Sequence, residues 1–109
     1  MSPIPEITVA ELKALLDTGH TPFLLDVRRP EESEIATLGG TVVPLPELPD
    51  RFEELEAHKN EDIIIYCRSG SRSGQATAFL QSVGFSNVRN LKGGVLAWSR
   101  EIDPTMPTY

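Results

Sequence analysis

The sequence predicts an α/β fold, a parallel sheet with helices on both of its faces. Two observations carry this. Short β-rich runs alternate with segments of helical spacing along the chain, which implies right-handed crossovers between parallel strands. The run from Phe23 to Val27 is continuously apolar except for Asp26, as a strand buried on both faces is.

Taken in order, Thr8-Val9-Ala10-Glu11 is a capping-box sequence, with Ile7 and Leu12 spaced as a hydrophobic staple around it, so a helix is expected from Val9 to Asp17. Gly19 ends it. Phe23 to Val27 forms a buried strand, and Pro30 then occupies a favourable first position for a short helix through Ala36. Thr41 to Val43 is a short strand stopped by Pro44 and Pro46. Leu48, Phe52 and Leu55 recur at helical spacing, predicting a helix over Leu48 to Ala57. Asp62 to Tyr66 is the most β-rich run and is expected at the centre of the sheet. A helix over Ser73 to Val83 carries Ala76, Phe79, Leu80 and Val83 on one face, with Ser73 as its N-cap and Gly84 as a left-handed cap after its end. Asn87 to Leu91 makes a last strand, Gly93-Gly94 a tight turn, and Val95 to Arg100 a short helix containing Trp98. Phe85 and Trp98 are expected in the core. The Pro-rich stretches at Pro3 to Pro5 and Pro104 to Pro107 read as terminal arms.

At 109 residues the expectation is one domain, 1–109, with a core over about 5–102 and an irregular tail over 103–109. The formal net charge of −6, with ten Lys and Arg scattered along the chain, argues against nucleic acid and against a membrane surface. A lone cysteine excludes an internal disulfide. With no signal-peptide pattern and no apolar run long enough for a bilayer, a reducing cytoplasm is the expected compartment. His20 and His58 lie in polar segments without companions at metal-ligand spacing, so neither a metal nor a cofactor is expected.

The lone cysteine is the informative residue. Cys67 ends the central strand and opens Cys67-Arg68-Ser69-Gly70-Ser71-Arg72-Ser73, a short loop that starts a helix. Such a loop surrounds the sulfur with backbone N–H groups, a positive helix end and two guanidinium groups. Surroundings of this kind favour the thiolate, which is the nucleophilic form. A purely structural cysteine would need neither flanking arginines nor a glycine-bearing loop. In an acidic chain Arg68 and Arg72 also make this loop a local positive island, suited to a small anionic substrate or an anionic chain end. Ligands of open parallel sheets bind at the carboxyl ends of strands, where Cys67 falls.

Together, Leu24-Leu25-Asp26-Val27-Arg28, the Cys67 to Ser73 loop, and Gly84-Phe85 through Leu91-Lys92-Gly93-Gly94-Val95-Leu96-Ala97-Trp98 resemble the signatures of the rhodanese family of sulfurtransferases over nearly the whole chain. The resemblance implies a five-stranded parallel sheet. It also implies a ping-pong transfer in which Cys67 takes the outer sulfur of a small anionic donor such as thiosulfate, becomes a persulfide, and passes that sulfur to cyanide, a thiol or a ubiquitin-like sulfur carrier. The closing segment, with Glu101-Ile102-Asp103-Pro104 and Pro107-Thr108-Tyr109, is similar to the rhodanese domain of enzymes that adenylylate such carriers for molybdopterin synthesis. The chain departs from the family over Ser33 and Leu38-Gly39-Gly40-Thr41, where relatives carry an aromatic residue and a Gly-His-Ile-Pro-Gly-Ala segment lining one side of the site.

Within this reading Cys67 is catalytic, and Arg68, Ser69, Gly70, Ser71, Arg72 and Ser73 bind substrate. Arg72 is expected to hold the loop carbonyls and the anion, Arg68 to meet substrate in solution, and Ser69 and Ser71 to contribute N–H groups. Gly70 permits a backbone geometry that a Cβ would obstruct. Asp26 is expected buried and hydrogen-bonded, bracing neighbouring loops with Arg28. Cysteine phosphatases place five residues between Cys and Arg, whereas here there are four, a ring too tight for a phosphoryl group. A redox or arsenate enzyme would want a resolving thiol. The alternative to an enzyme is a non-catalytic rhodanese module for protein binding, although such modules generally lose the cysteine or degrade the loop.

Overall fold

A computed structural model describes residues 4–109; of the expected N-terminal arm, Pro3 lies outside the described residues. Five parallel strands form one sheet in the order β1-β5-β4-β2-β3. These are β1 (Glu6–Ile7), β2 (Phe23–Asp26), β3 (Thr41–Val42), β4 (Ile63–Tyr66) and β5 (Val88–Leu91). The most β-rich run is thus the central strand. Its register with β2 aligns Phe23 with Ile63 and Asp26 with Tyr66, so both strands end at the same level.

The pleat of β4 divides the core. Ile63 and Ile65, with Cys67 next in line, face one side and pack with Leu25, Val43, Leu55, Ala76, Leu80, Phe85 and Val88. Ile64 and Tyr66 face the other and pack with Ile7, Val9, Leu12, Leu91 and Val95. Trp98 is partly buried against this second cluster. All four residues of β4 are 0% exposed, which explains why the run lacks polar alternation.

Helices α1 (Val9–Asp17), α2 (Pro30–Ile35), α3 (Leu48–Arg51), α4 (Ser71–Ser82) and α5 (Gly94–Glu101) cover the two faces. The Thr8–Glu11 capping box forms in both directions, with the Glu11 amide donating to Thr8 Oγ1 at 3.1 Å and the Thr8 amide to Glu11 Oε1 at 2.9 Å. Gly84 takes φ 99° just after α4, as a left-handed residue there requires.

Three elements differ from the sequence reading. The helix expected over Leu48 to Ala57 is α3 followed by a 3-10 helix, Phe52–His58. Arg51, at φ −123° and ψ −2°, interrupts the α ladder, and its guanidinium bridges Glu47 at 2.9 Å and Glu54 at 3.0 Å across the junction. The tighter winding still buries Leu55, at 2% exposure. β1 has only two residues, too few for any periodicity, and exists because Glu6 and Ile7 pair with Asn90 and Leu91. Helix α4 begins at Ser71, two residues earlier than expected, with Gly70 as its N-cap.

Candidate active site

Cys67 follows β4 directly, and α4 begins four residues later, so the intervening turn must fold around the sulfur. It does. The Gly70 amide donates to Cys67 Sγ at 3.1 Å, the Ser73 amide at 3.4 Å and the Ser73 hydroxyl at 3.3 Å. Burial pushes the Cys67 pKa up, but these donors, with the Ser69 amide, outweigh it and hold the thiol below its ordinary value. The shift toward the thiolate therefore comes from short-range hydrogen bonds and not from the two arginines.

Gly70 adopts φ 102°, and a Cβ there would lie 3.2 Å from the Gly93 nitrogen, so this turn needs glycine both for its backbone angle and for space. Ser73 is not the N-cap. It is the third residue of α4, fully buried, and its hydroxyl also lies 2.5 Å from Asn90 Oδ1. The loop amides point at sulfur, so the cap that a serine would otherwise provide is replaced by the left-handed Gly70.

The expected role of Arg72 also changes. The loop carbonyls are held by other groups. Val95 and Leu96, in the first turn of α5, donate their amides to the carbonyls of Cys67 and Arg68, each at 3.0 Å. Asn90 Nδ2 and the Gly74 amide donate to the Gly70 carbonyl at 3.2 and 3.0 Å. Arg72 instead makes a two-pronged pair with Glu32, Nη1 to Oε1 at 2.7 Å and Nη2 to Oε2 at 2.8 Å. This pairing pulls the Glu32 pKa down to about 2.

Asp26 and Arg28 form the support beneath. Both are 0% exposed. Asp26 Oδ1 accepts from the Arg28 amide at 3.0 Å and from Arg28 Nε at 2.9 Å, while Oδ2 accepts from Nη2 at 2.8 Å. Arg28 Nη2 also donates to the Ala36 carbonyl at 2.8 Å, and its guanidinium lies 5.3 Å from the centre of the Tyr66 ring. The Tyr66 hydroxyl donates to the Gly39 carbonyl at 2.7 Å. The segment that departs from the family pattern is thereby tied to β2 and β4.

A cavity of about 440 Å³ opens beside the loop, lined by Arg29, Glu31, Glu32, Ile35, Arg68, Arg72 and Tyr109. Ile35, from the divergent segment, supplies an exposed apolar contact there. A second cavity of about 280 Å³, between the start of α1 and α5, does not include Cys67 in its lining.

Residues 8–101 match the rhodanese-like domain. The chain belongs to the rhodanese-like domain family. A sulfurtransferase of Allochromatium vinosum is 37% identical over 98 residues, which cover 89% of this chain and 90% of that relative. The "Adenylyltransferase and sulfurtransferase MOCS3-2" of Zea mays is 35% identical over 109 residues, covering 94% of this chain but only 23% of that relative's length. A rhodanese-like domain protein of Staphylococcus aureus has the same fold, at a TM-score of 0.80 and 28% identity, covering 97% of this chain and 99% of that one. The five-stranded sheet expected from the rhodanese resemblance is therefore the observed one.

Four residues around the rhodanese-like loop were not singled out in the sequence: Glu32, Asn90, Gly94 and Tyr109. Glu32 sits in an acidic run, Glu31-Glu32, with nothing local to separate the buried carboxylate from the solvated one. Asn90 and Gly94 lie inside the closing signature, whose β5-to-α5 turn was a signal of backbone geometry but not of contact with Cys67. Tyr109 gave no signal beyond membership in the tail resemblance.

Proposed function

We propose that the chain is a sulfurtransferase that carries sulfane sulfur on Cys67. The observation that carries this reading is the sulfur itself, held by two backbone amides and a hydroxyl at 3.1 to 3.4 Å and shifted toward the thiolate. The thiolate attacks the outer sulfur of a donor such as thiosulfate; the S–S bond breaks, sulfite leaves with the bonding pair, and Cys67 becomes a persulfide anion. The same preorganised donors then serve the displaced charge. A nucleophilic acceptor attacks the terminal sulfur and returns the thiolate. No proton has to be delivered within the loop, which fits a site without a histidine or carboxylate touching sulfur.

The similarity to an adenylyltransferase–sulfurtransferase and to a relative named "Putative sulfur carrier protein YrkF" favours a ubiquitin-like sulfur carrier as acceptor, with a small thiol as the simpler alternative. The deciding experiment is to incubate the protein with thiosulfate and weigh it. Wild type is expected to gain one sulfur, lost again on adding cyanide, and Cys67→Ser to gain none while folding normally. Folded wild type that gains no sulfur from thiosulfate or from a persulfide donor leaves the interaction-module reading in its place.

A further inference from the structure

The tail runs back to the loop. After α5 the Asp103 amide donates to the Trp98 carbonyl at 2.9 Å, the Ser99 hydroxyl donates to the Met106 carbonyl at 2.9 Å, and Met106 packs against the second core cluster. These contacts deliver Tyr109 to the 440 Å³ cavity. Its hydroxyl accepts from Arg28 Nη1 at 2.7 Å and donates to Glu32 Oε2 at 2.9 Å. Its main-chain oxygen accepts from Arg68 Nε, and the Arg68 guanidinium lies 5.3 Å from the centre of its ring. Arg68 is thus already engaged by an oxygen and an aromatic face, and Arg72 by Glu32.

We propose that Tyr109 is a specificity-determining residue of the anion subsite, an internal occupant of Arg68 that the anionic end of a substrate has to displace. The proposal rests on the reading of Arg68 as the residue that meets the substrate. Two properties of the site follow from the contacts. A small anion gains only the difference between its own interaction with Arg68 and the one Tyr109 already makes. A substrate that offers both an oxygen and a chain or ring to lie over the guanidinium beside Ile35 replaces both contacts and is favoured. The phenol, fixed between Arg28 and Glu32, keeps Tyr109 seated when the subsite is empty.

The test compares two reagents of similar size on Cys67, anionic iodoacetate and neutral iodoacetamide. Neither needs sulfur transfer, so the outcome is independent of whether the protein is a sulfurtransferase. Tyr109→Ala is expected to raise the iodoacetate-to-iodoacetamide rate ratio about twofold to fivefold, the scale of one newly available surface charge. Arg68→Ala added to Tyr109→Ala should bring the ratio back to the wild-type level. A ratio unchanged by Tyr109→Ala, or a rise that persists without Arg68, overturns the proposal. Should Tyr109→Ala fold poorly, thiosulfate is titrated into Cys67→Ser while the Tyr109 ring and loop amide resonances are followed. Ring signals that move with the loop amides toward those of a solvated tyrosine are the expected result. Loop amides that shift while the ring stays fixed overturn it.

Discussion

Glu32 and Arg72 meet in a two-pronged pair, at 2.7 and 2.8 Å, joining the start of α2 to the first turn of α4 across 40 residues of chain. The Glu32 side chain is 9% exposed, so its charge is largely withdrawn from water and depends on this partner. The arginine expected to serve the loop is in this way turned into a strut between two helices.

That pair predicts a pH dependence of stability. Glu32 titrates near 2 in the folded protein against 4.5 for an unperturbed carboxyl. Its stabilisation, about 2–3 kcal/mol, is complete above the unfolded value and is lost as pH falls toward 2. Glu32→Gln should therefore be less stable than wild type by about that amount at pH 7. Urea unfolding at a series of pH values should show the gap narrowing below 4.5; a gap that is constant with pH contradicts the assignment.

Ser73→Ala should raise the Cys67 pKa, since the thiolate loses a side-chain hydrogen bond, and only in part, because the hydroxyl divides its single proton between sulfur and Asn90. Iodoacetamide rates measured against pH give the midpoint directly. The plateau at high pH should change little, because the deletion alters ionisation and not access.

Asp26→Asn should cost about 3–5 kcal/mol, the scale found when one partner of a buried ion pair is removed, because Arg28 is fully buried and would be left without its counter-charge. Thermal or urea denaturation measures this. The loss should be accompanied by loosening of the Ala36 to Gly39 segment, which Arg28 and Tyr66 hold together and which hydrogen exchange would report.

Gly94→Ala should damage both stability and chemistry. Gly94 has φ 58°, and a Cβ there would fall 2.4 Å from the Cys67 carbonyl oxygen and 2.6 Å from that of Arg68. Relief requires α5 to move away, breaking the 3.0 Å hydrogen bonds from Val95 and Leu96 that fix the loop. The expected result is a lower melting temperature together with a changed Cys67 alkylation rate. Unaltered alkylation would show that the loop holds its form without α5.

The sequence carried the α/β class, the central strand and the position of the Cys67 turn, because each depends on neighbours in the chain. The Thr8–Glu11 capping box spans three residues, β4 is a run of four buried ones, and the Cys67 turn is closed by Gly70 and Ser73 within six positions. Local geometry of this kind is written in spacing. The three amides at the sulfur were likewise implied by a short glycine-bearing loop after a strand.

What the side chains and carbonyls of the Cys67 loop touch was decided only by the tertiary structure. Arg72 pairs with Glu32, Arg68 with Tyr109, and the loop carbonyls with Val95, Leu96 and Asn90, all partners 20 or more residues away. A long arginine side chain can reach any of several acceptors, and the one it takes depends on which is most withdrawn from water and least able to find another partner. Burial is a property of the packed globule, so Glu31 and Glu32, identical and adjacent in sequence, part company only when α2 is laid against the Cys67 loop.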